Sequence, residues 1–384
     1  MINVLFLANN NLSPTSGGIE RTTFNLLKVL SNDSGFNLFA VFIKIPEIIK
    51  GVVCVEDTIT SGKQIDDYIN RFQIDIAVFP GGAWYTNLLK NYNSKTQCKI
   101  VTCLHSPPKV GEDHFIQNLN LEFRKKNFSS KIKSLPHFIF NYLRQPLKVY
   151  QARKQYFNGY KNSDVYVLLS TFYFNDFKEY AKIADVKKLY AIGNALSFEK
   201  SFDVGDLSLK KNEVLLVGRF DEVSKRISYS IKSWGLIDHK NWKFKIVGFG
   251  KDEMLYQNLV KDLQIKNISF EGKQNPIKYY ADAKIFLMTS LFEGWPMTLL
   301  EALQMGCVPV VMDSFGSLQE IIVHNYNGLI IKNDDIQEMA NAVQSLITNK
   351  EKLLQLSVNA ISSSENFTLE KTAQKWKDLF NQIT

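Results

Sequence analysis

Short apolar runs recur along this chain with helix-length segments between them, and that rhythm leaves few folds open. Residues 3–8, 38–43, 74–79, 99–104 and 164–169 read as strands in the first half, and 213–217, 243–247, 267–271, 284–289 and 308–312 in the second. Runs that are apolar throughout suit strands buried on both faces, and strands alternating with helices pair in parallel. The expected fold class is therefore α/β. A chain of 384 residues exceeds one ordinary core. Because the stretch from about 195 to 211 is polar and irregular, two domains are expected, over 1–195 and 196–366. The last segment, 367–384, carries Leu369, Thr372, Ala373, Trp376 and Phe380 on one helical face.

The strand at 284–289 is followed by Gly294 and Pro296, which break it sharply and leave Glu293 at its carboxyl end. Open α/β sheets hold their ligands at that end. Glu301 falls eight positions later, inside the next helix, so two carboxylates are available to grip the hydroxyls of a sugar nucleotide. Upstream, Val217-Gly-Arg-Phe-Asp-Glu-Val-Ser-Lys-Arg226 follows another strand. Arg219 offers a planar fork of donors and Lys225 a compact charge, a pair suited to a diphosphate. Either Lys225 or its neighbour Arg226 can be the inward cation. The N–H groups around Met297 and Thr298 open a helix and suit phosphate or sugar oxygens, while Pro296 has no N–H to give. Glu301 has a second reading, because Thr298-Leu-Leu-Glu301 has the spacing of a capping box.

In the first half, Gly17 and Gly18 precede a helix near Ile19, which lets backbone N–H groups approach an anion, although plain turn chemistry explains the pair as well. The full GxGxxG fingerprint is absent, and no acid stands at the end of the second strand near Lys44. Both observations count against a dinucleotide dehydrogenase. His105 ends the strand at 100–104, ahead of Pro107 and Pro108. Gly248, Gly250, Gly272 and Lys273 are expected near the base, and Glu320 reads as the start of a helix. The chain holds no Asp-x-Asp pair of the kind that chelates Mn2+ or Mg2+, so phosphates are expected to be neutralised by side-chain cations and helix ends.

The Gly-Arg and Lys-Arg pairs after one strand and Glu-x7-Glu after a later one resemble the signature of family 4 of the glycosyltransferases, the retaining GT-B enzymes. Gly17-Gly18-Ile19-Glu20-Arg21, His105, Ile192-Gly-Asn-Ala195 and Asn327-Gly328 extend the resemblance over nearly the whole chain, most strongly over 212–332. It implies two facing Rossmann-like domains with a central cleft, and a C-terminal helix, 367–384, returning to the first domain. The first domain would take the acceptor and the second the donor. Glu293, His105, Arg219 and Lys225 are implied as catalytic. Donor contacts are implied for Gly17, Gly18, Arg219, Lys225, Gly272, Lys273, Glu293, Gly294, Met297, Thr298 and, at the ribose, Glu301. The implied reaction is retaining transfer of a hexose-type sugar from a UDP- or GDP-sugar to a lipid-linked or cell-surface glycan such as capsule, O-antigen or lipopolysaccharide. No cofactor, metal or nucleic-acid partner is expected. Two rival readings stand beside it: a nucleotide-sugar epimerase of GT-B-like fold, and a scaffold that binds donor without transferring it.

Net charge is +8, and its distribution matters more than its size. Between 121 and 161 the cations are Arg124, Lys125, Lys126, Lys131, Lys133, Arg144, Lys148, Arg153, Lys154 and Lys161, against one acid, Glu122. Phe123, Phe128, Phe138, Phe140, Tyr142 and Tyr150 are interleaved with them. The segment fits an anionic membrane surface, a phosphorylated acceptor, or a solvated helical face. No apolar stretch reaches the roughly 18 residues needed to span a bilayer. Met1–Ala8 reads as a first strand rather than a secretion signal. Cys54, Cys98, Cys103 and Cys307 form no CxxC pair, and a reducing cytoplasm is the simplest compartment.

Overall fold

The computed structural model describes residues 1–14, 17–89, 97–125, 128–199 and 201–384. Lys126 and the side chains of Glu122, Arg124, Lys125, Phe128 and Lys131 lie outside the described residues. The chain divides into two compact units, one of Met1–Ala195 with Leu369–Thr384, the other of Leu196–Thr368.

The first unit holds β1 (Ile2–Asn11), β2 (Phe36–Lys44), β3 (Val52–Glu56), β4 (Ile76–Phe79), β5 (Lys99–Leu104), β6 (Val165–Leu168) and β7 (Leu189–Ala191). They form one sheet of order β3-β2-β1-β4-β5-β6-β7, parallel at every pairing. The second unit holds β8 (Glu213–Val217), β9 (Lys243–Val247), β10 (Ile268–Gly272), β11 (Ile285–Met288), β12 (Val308–Met312) and β13 (Leu329–Ile331). Their order is β10-β9-β8-β11-β12-β13, again all parallel. The central strands β4, β6, β11 and β12 are buried along their whole length, as a sheet covered by helices on both faces requires. The two-sheet α/β fold expected from the rhythm is therefore present, with all ten strands read from the sequence. Three more, β3, β7 and β13, each close one edge of a sheet.

The helix Leu369–Ile383 belongs to the first unit. Trp376 and Phe380 pack edge-on against Phe6 of β1, with ring centroids 6.4 Å apart in both cases, and Phe380 also meets Phe36 at 5.8 Å. Fully burying an aromatic side chain contributes roughly 1.5–3 kcal/mol, so these two rings anchor the returning helix. Lys377 adds an ion pair to Asp33 at 2.7 Å.

In both sheets the chain builds outward from a first strand and then returns to its other side. The direction of winding switches between β1 and β4 in the first unit and between β8 and β11 in the second. Loops leaving the carboxyl ends of two strands at a switch point run to opposite faces and leave a crevice between them. The strands that precede the 218–226 and 289–298 loops are the two that flank the switch point of the second unit.

Candidate functional site

At the end of β8 the chain stays hydrogen-bonded to the continuation of β9, with Gly218 N donating to Val247 O at 3.0 Å and Phe220 N to Phe249 O at 2.8 Å. Glycines make this approach possible. A β-carbon on Gly248 would lie 1.8 Å from Gly218 O, and one on Gly250 2.4 Å from Phe220 O. These two glycines, expected beside a base, are used to seat the 218–220 segment.

The short helix Glu222–Lys225 follows. Its first N–H, on Glu222, donates to the buried Asp252 carboxylate at 2.7 Å, and Ser228 donates to the Glu222 carboxylate through both its N–H and its hydroxyl. Burial raises the Glu222 carboxyl above its ordinary pKa. The helix ends at Arg226, whose φ of +44° turns the chain out of the helical path. Thr289, just beyond β11, donates its hydroxyl to the carbonyls of Lys225 and Arg226 at 3.0 and 2.9 Å, and Leu291 N donates to Ser224 O at 2.7 Å. The turn is thus stitched to the loop that carries Glu293.

That stitching decides between the two neighbouring cations. Lys225 Nζ meets Glu293 Oε1 at 2.5 Å, with the two side chains 24% and 12% exposed. Arg226 points the other way and is 8% exposed in its side chain. Its Nε donates to Thr289 O at 2.9 Å, Nη1 to Asp334 Oδ1 at 2.5 Å and Nη2 to Asn333 Oδ1 at 2.8 Å. Arg226 is a structural clasp joining the turn, the end of β11 and the 333–334 loop.

Lys225, Glu293 and Thr298 line one hollow with Gly218, Thr289 and Ser290, at the switch point between β8 and β11. Arg219 does not join them. Its side chain is 69% exposed and reaches Asp221 Oδ2 at 3.5 Å, outside the lining of the hollow, although Gly218 beside it is part of that lining. The helix Met297–Gln304 starts at Pro296, with no side-chain capping bond, so Thr298 lies inside the helix and the capping-box reading of Glu301 does not hold. Glu301 is instead a buried carboxylate on that helix. Gly294 lies in the loop before it, next to Trp295, which is buried against the Phe367 ring at 5.9 Å. Gly272 closes β10 with a φ of +70°, and Lys273 places its ammonium 5.1 Å from the centre of the Phe249 ring. Neither lines the hollow. Glu320 falls in the short helix Leu318–Ile321.

In the first unit, Gly17 precedes the helix Gly18–Leu30 and Gly18 is its first residue. The Glu20 carboxylate folds over this helix start. One of its oxygens lies 2.7 Å from where a Gly17 β-carbon would stand, and the other accepts from Asn10 Nδ2 at 3.0 Å. An acid in the first turn interacts favourably with the helix dipole. His105 lies in a second hollow of this unit with Phe6, Thr23, Cys103, Asn194 and Trp376. Burial depresses its pKa to about 4, so its imidazole is neutral at pH 7, and its buried Nδ1 has no hydrogen-bond partner among the described residues.

Sequence reasoning missed Gly218, Thr289 and Ser290 as lining residues and left the roles of Lys225 and Arg226 open. Thr289 and Ser290 carried a usable signal: two small polar residues directly after a buried strand, at the end where ligands sit. Among the described residues, no group of three or more His, Cys, Asp or Glu is placed to hold a metal ion, and no helix is long and apolar enough to cross a membrane.

Two parallel α/β units with a carboxyl-terminal helix returning to the first constitute the GT-B fold of glycosyltransferases. The lipopolysaccharide outer core galactosyltransferase WaaB, in its apo form, aligns over 99% of this chain and 100% of its own with a TM-score of 0.71 at 16% identity. Anabaena Alr3699/HepE in complex with UDP aligns over 100% of both chains with a TM-score of 0.70 at 14% identity. Residues 197–363, most of the second unit, match the family described as Glycosyl transferases group 1. An uncharacterized glycosyltransferase of Haemophilus influenzae is 30% identical over 175 residues, 44% of this chain and 49% of that protein. Matches to two further curated relatives span 17% and 57% of their lengths.

Proposed function

We propose that the protein is a glycosyltransferase that moves a hexose-type sugar from a UDP- or GDP-sugar to a lipid-linked or cell-surface glycan, with retention of anomeric configuration and without a metal. The observation that carries this reading is the meeting of Lys225 and Glu293 in one hollow at the β8–β11 switch point, beside the first turn of the Met297–Gln304 helix. A cation there neutralises the departing diphosphate, a carboxylate accepts from donor-sugar hydroxyls, and a helix start supplies N–H groups to phosphate or sugar oxygens. Glu301, about one helical turn further in, takes the ribose hydroxyls. Arg219, exposed and paired with Asp221, is assigned to the donor phosphates. In the first unit, neutral His105 and the Gly17–Gly18 backbone are assigned to acceptor contacts.

Sugar transfer passes through an oxocarbenium-like state. We assign a front-face route in which the leaving phosphate helps to deprotonate the acceptor, since Glu293 is taken up by hydroxyls and not by the anomeric carbon. The match to Glycosyl transferases group 1 supports the reaction class. A GT-B neighbour bound to UDP supports the donor class, and one named as a lipopolysaccharide galactosyltransferase supports the acceptor class. The compartment we assign is the cytoplasm.

Incubation with UDP- and GDP-sugars tests the reading. Slow release of free nucleotide and free sugar, accelerated by a glycan acceptor, is the expected result. A changed sugar still attached to its nucleotide would make the protein an epimerase, and tight binding without turnover would make it a scaffold.

A further inference from the structure

The helix Phe128–Asn162 contains seven lysines and arginines and no aspartate or glutamate. Its inward side is tightly packed. A β-carbon on Gly159 would lie 2.5 Å from Ala83 Cβ, and Tyr156 stacks on Phe177 at 5.8 Å. The outward side carries Leu135, Ile139, Tyr142, Leu143, Leu147 and Tyr150, all exposed, with Leu143 at 71% and Leu147 at 52%. Their spacing by threes and fours sets them on one stripe of the helix. Large apolar side chains gathered on one exposed face mark a contact surface.

Charge names the partner. Lys133, Arg144, Lys154 and Lys161 are exposed along the same helix, and Arg144 lies over the Phe140 ring at 5.0 Å. Lys148 lies over Phe115 at 4.0 Å, and Arg153 faces Glu112 at 3.8 Å, so those two are engaged by neighbouring elements. Apolar and tyrosine side chains on one face with cations along its borders match the headgroup layer of an anionic bilayer, where tyrosine rings and alkyl chains enter and lysines and arginines meet phosphate. Pro136 and Pro146 inside the helix have no N–H to give. The carbonyls they leave free are solvated in the hydrated headgroup region and not in hydrocarbon.

We propose that the outward face of the Phe128–Asn162 helix docks the first unit in the plane of an anionic membrane surface. This docking surface is independent of the transfer chemistry. Where that reading holds, it brings the enzyme to the place where lipid-borne acceptors reside.

The test is flotation of the full chain with phosphatidylcholine vesicles, with and without roughly one-third phosphatidylglycerol. The expected result is binding at least tenfold stronger to the anionic vesicles. Leu143→Asp with Leu147→Asp should weaken that binding at least tenfold while leaving thermal melting and donor hydrolysis unchanged, since both side chains are exposed. Arg144→Glu with Lys154→Glu should weaken it similarly. Absence of binding to anionic vesicles would overturn the proposal, and so would binding indifferent to the leucine pair, which marks a phosphate site without apolar insertion. A leucine variant that turns a dimer into a monomer while vesicle binding persists would assign the face to a second copy of the chain. Donor hydrolysis is scored without vesicles, so loss of membrane binding and loss of transfer are separate results.

Discussion

The cation proposed for phosphate and the carboxylate proposed for sugar hydroxyls satisfy one another, with Lys225 Nζ and Glu293 Oε1 2.5 Å apart. A bare nucleoside diphosphate can take Lys225 only by leaving Glu293 without its cation, whereas a nucleotide-sugar supplies hydroxyls in exchange. Glu293→Gln separates these cases. Both side chains keep some contact with solvent, at 24% and 12% exposure, so the coupling falls between an exposed pair and a buried one, about 1–2 kcal/mol. Freed from it, Lys225 should bind UDP or GDP roughly 5- to 30-fold more tightly. Transfer from the nucleotide-sugar should drop at least tenfold, about 1.4 kcal/mol or more of transition-state stabilisation, because a neutral amide is a weaker acceptor for the sugar hydroxyls. Titration calorimetry with the two nucleotides and initial rates with the corresponding sugars measure the two effects. Opposite signs from a single substitution are the signature. If nucleotide affinity stays level or falls in parallel with the rate, Glu293 does not restrain Lys225 and the reasoning fails.

Arg226→Leu removes the clasp to Thr289 O, Asn333 and Asp334, and should cost about 2–4 kcal/mol, lowering the melting temperature by roughly 5–15 °C. An unchanged melting curve with lost activity would make Arg226 a ligand contact instead. Because burial holds His105 at a pKa of about 4, below its ordinary 6.5, protons bind the unfolded chain first as pH falls. Stability should therefore be intact above 6.5 and decline below it, by about 2 kcal/mol at pH 5. Urea titrations of His105→Gln at pH 7 and pH 5 should show that share of acid sensitivity removed. Gly248→Ala would drive a β-carbon to within 1.8 Å of Gly218 O, while an alanine at Gly18 meets nothing within 4 Å. The first should cost more than about 3 kcal/mol and the second should melt at or slightly above the parent protein, both read by thermal unfolding.

The strands most plainly legible in the sequence, β4, β6, β11 and β12, are buried along their whole length, where an unbroken apolar run records the environment. β10 is legible from its sequence despite lying at an edge with no fully buried residue. β3, β7 and β13 escaped notice. Each lies at a sheet edge, and β3 is half-exposed along its length, so Val52-Val-Cys-Val-Glu56 carries no continuous burial signal. β7 and β13 are only three residues long. Glu293 could be found because Gly294 and Pro296 mark where a buried strand stops. Arg219 looked equivalent to Lys225 by the same rule, yet its side chain turns to Asp221, a local pairing that spacing from a strand end does not encode.

Position and direction are thus set by different physics. Lys225 and Glu293 are 68 residues apart in sequence and meet because the strand order makes β8 and β11 neighbours. Any two residues delivered to the carboxyl ends of those strands would be brought near one another, and that much follows from the alternation of strands and helices. Which of two adjacent cations turns inward follows from the left-handed turn at Arg226 and the hydroxyl of Thr289, a residue 63 positions away. Disrupting the turn should therefore disturb the site without touching a charge. Thr289→Val keeps shape and volume but removes the hydroxyl donated to the Lys225 and Arg226 carbonyls. Lost buried hydrogen bonds cost about 1–3 kcal/mol, and the swing of Lys225 away from Glu293 should raise KM for the donor. Melting and donor titration together check this. A variant that melts lower yet binds donor with unchanged affinity would show that Lys225 is held by Glu293 alone.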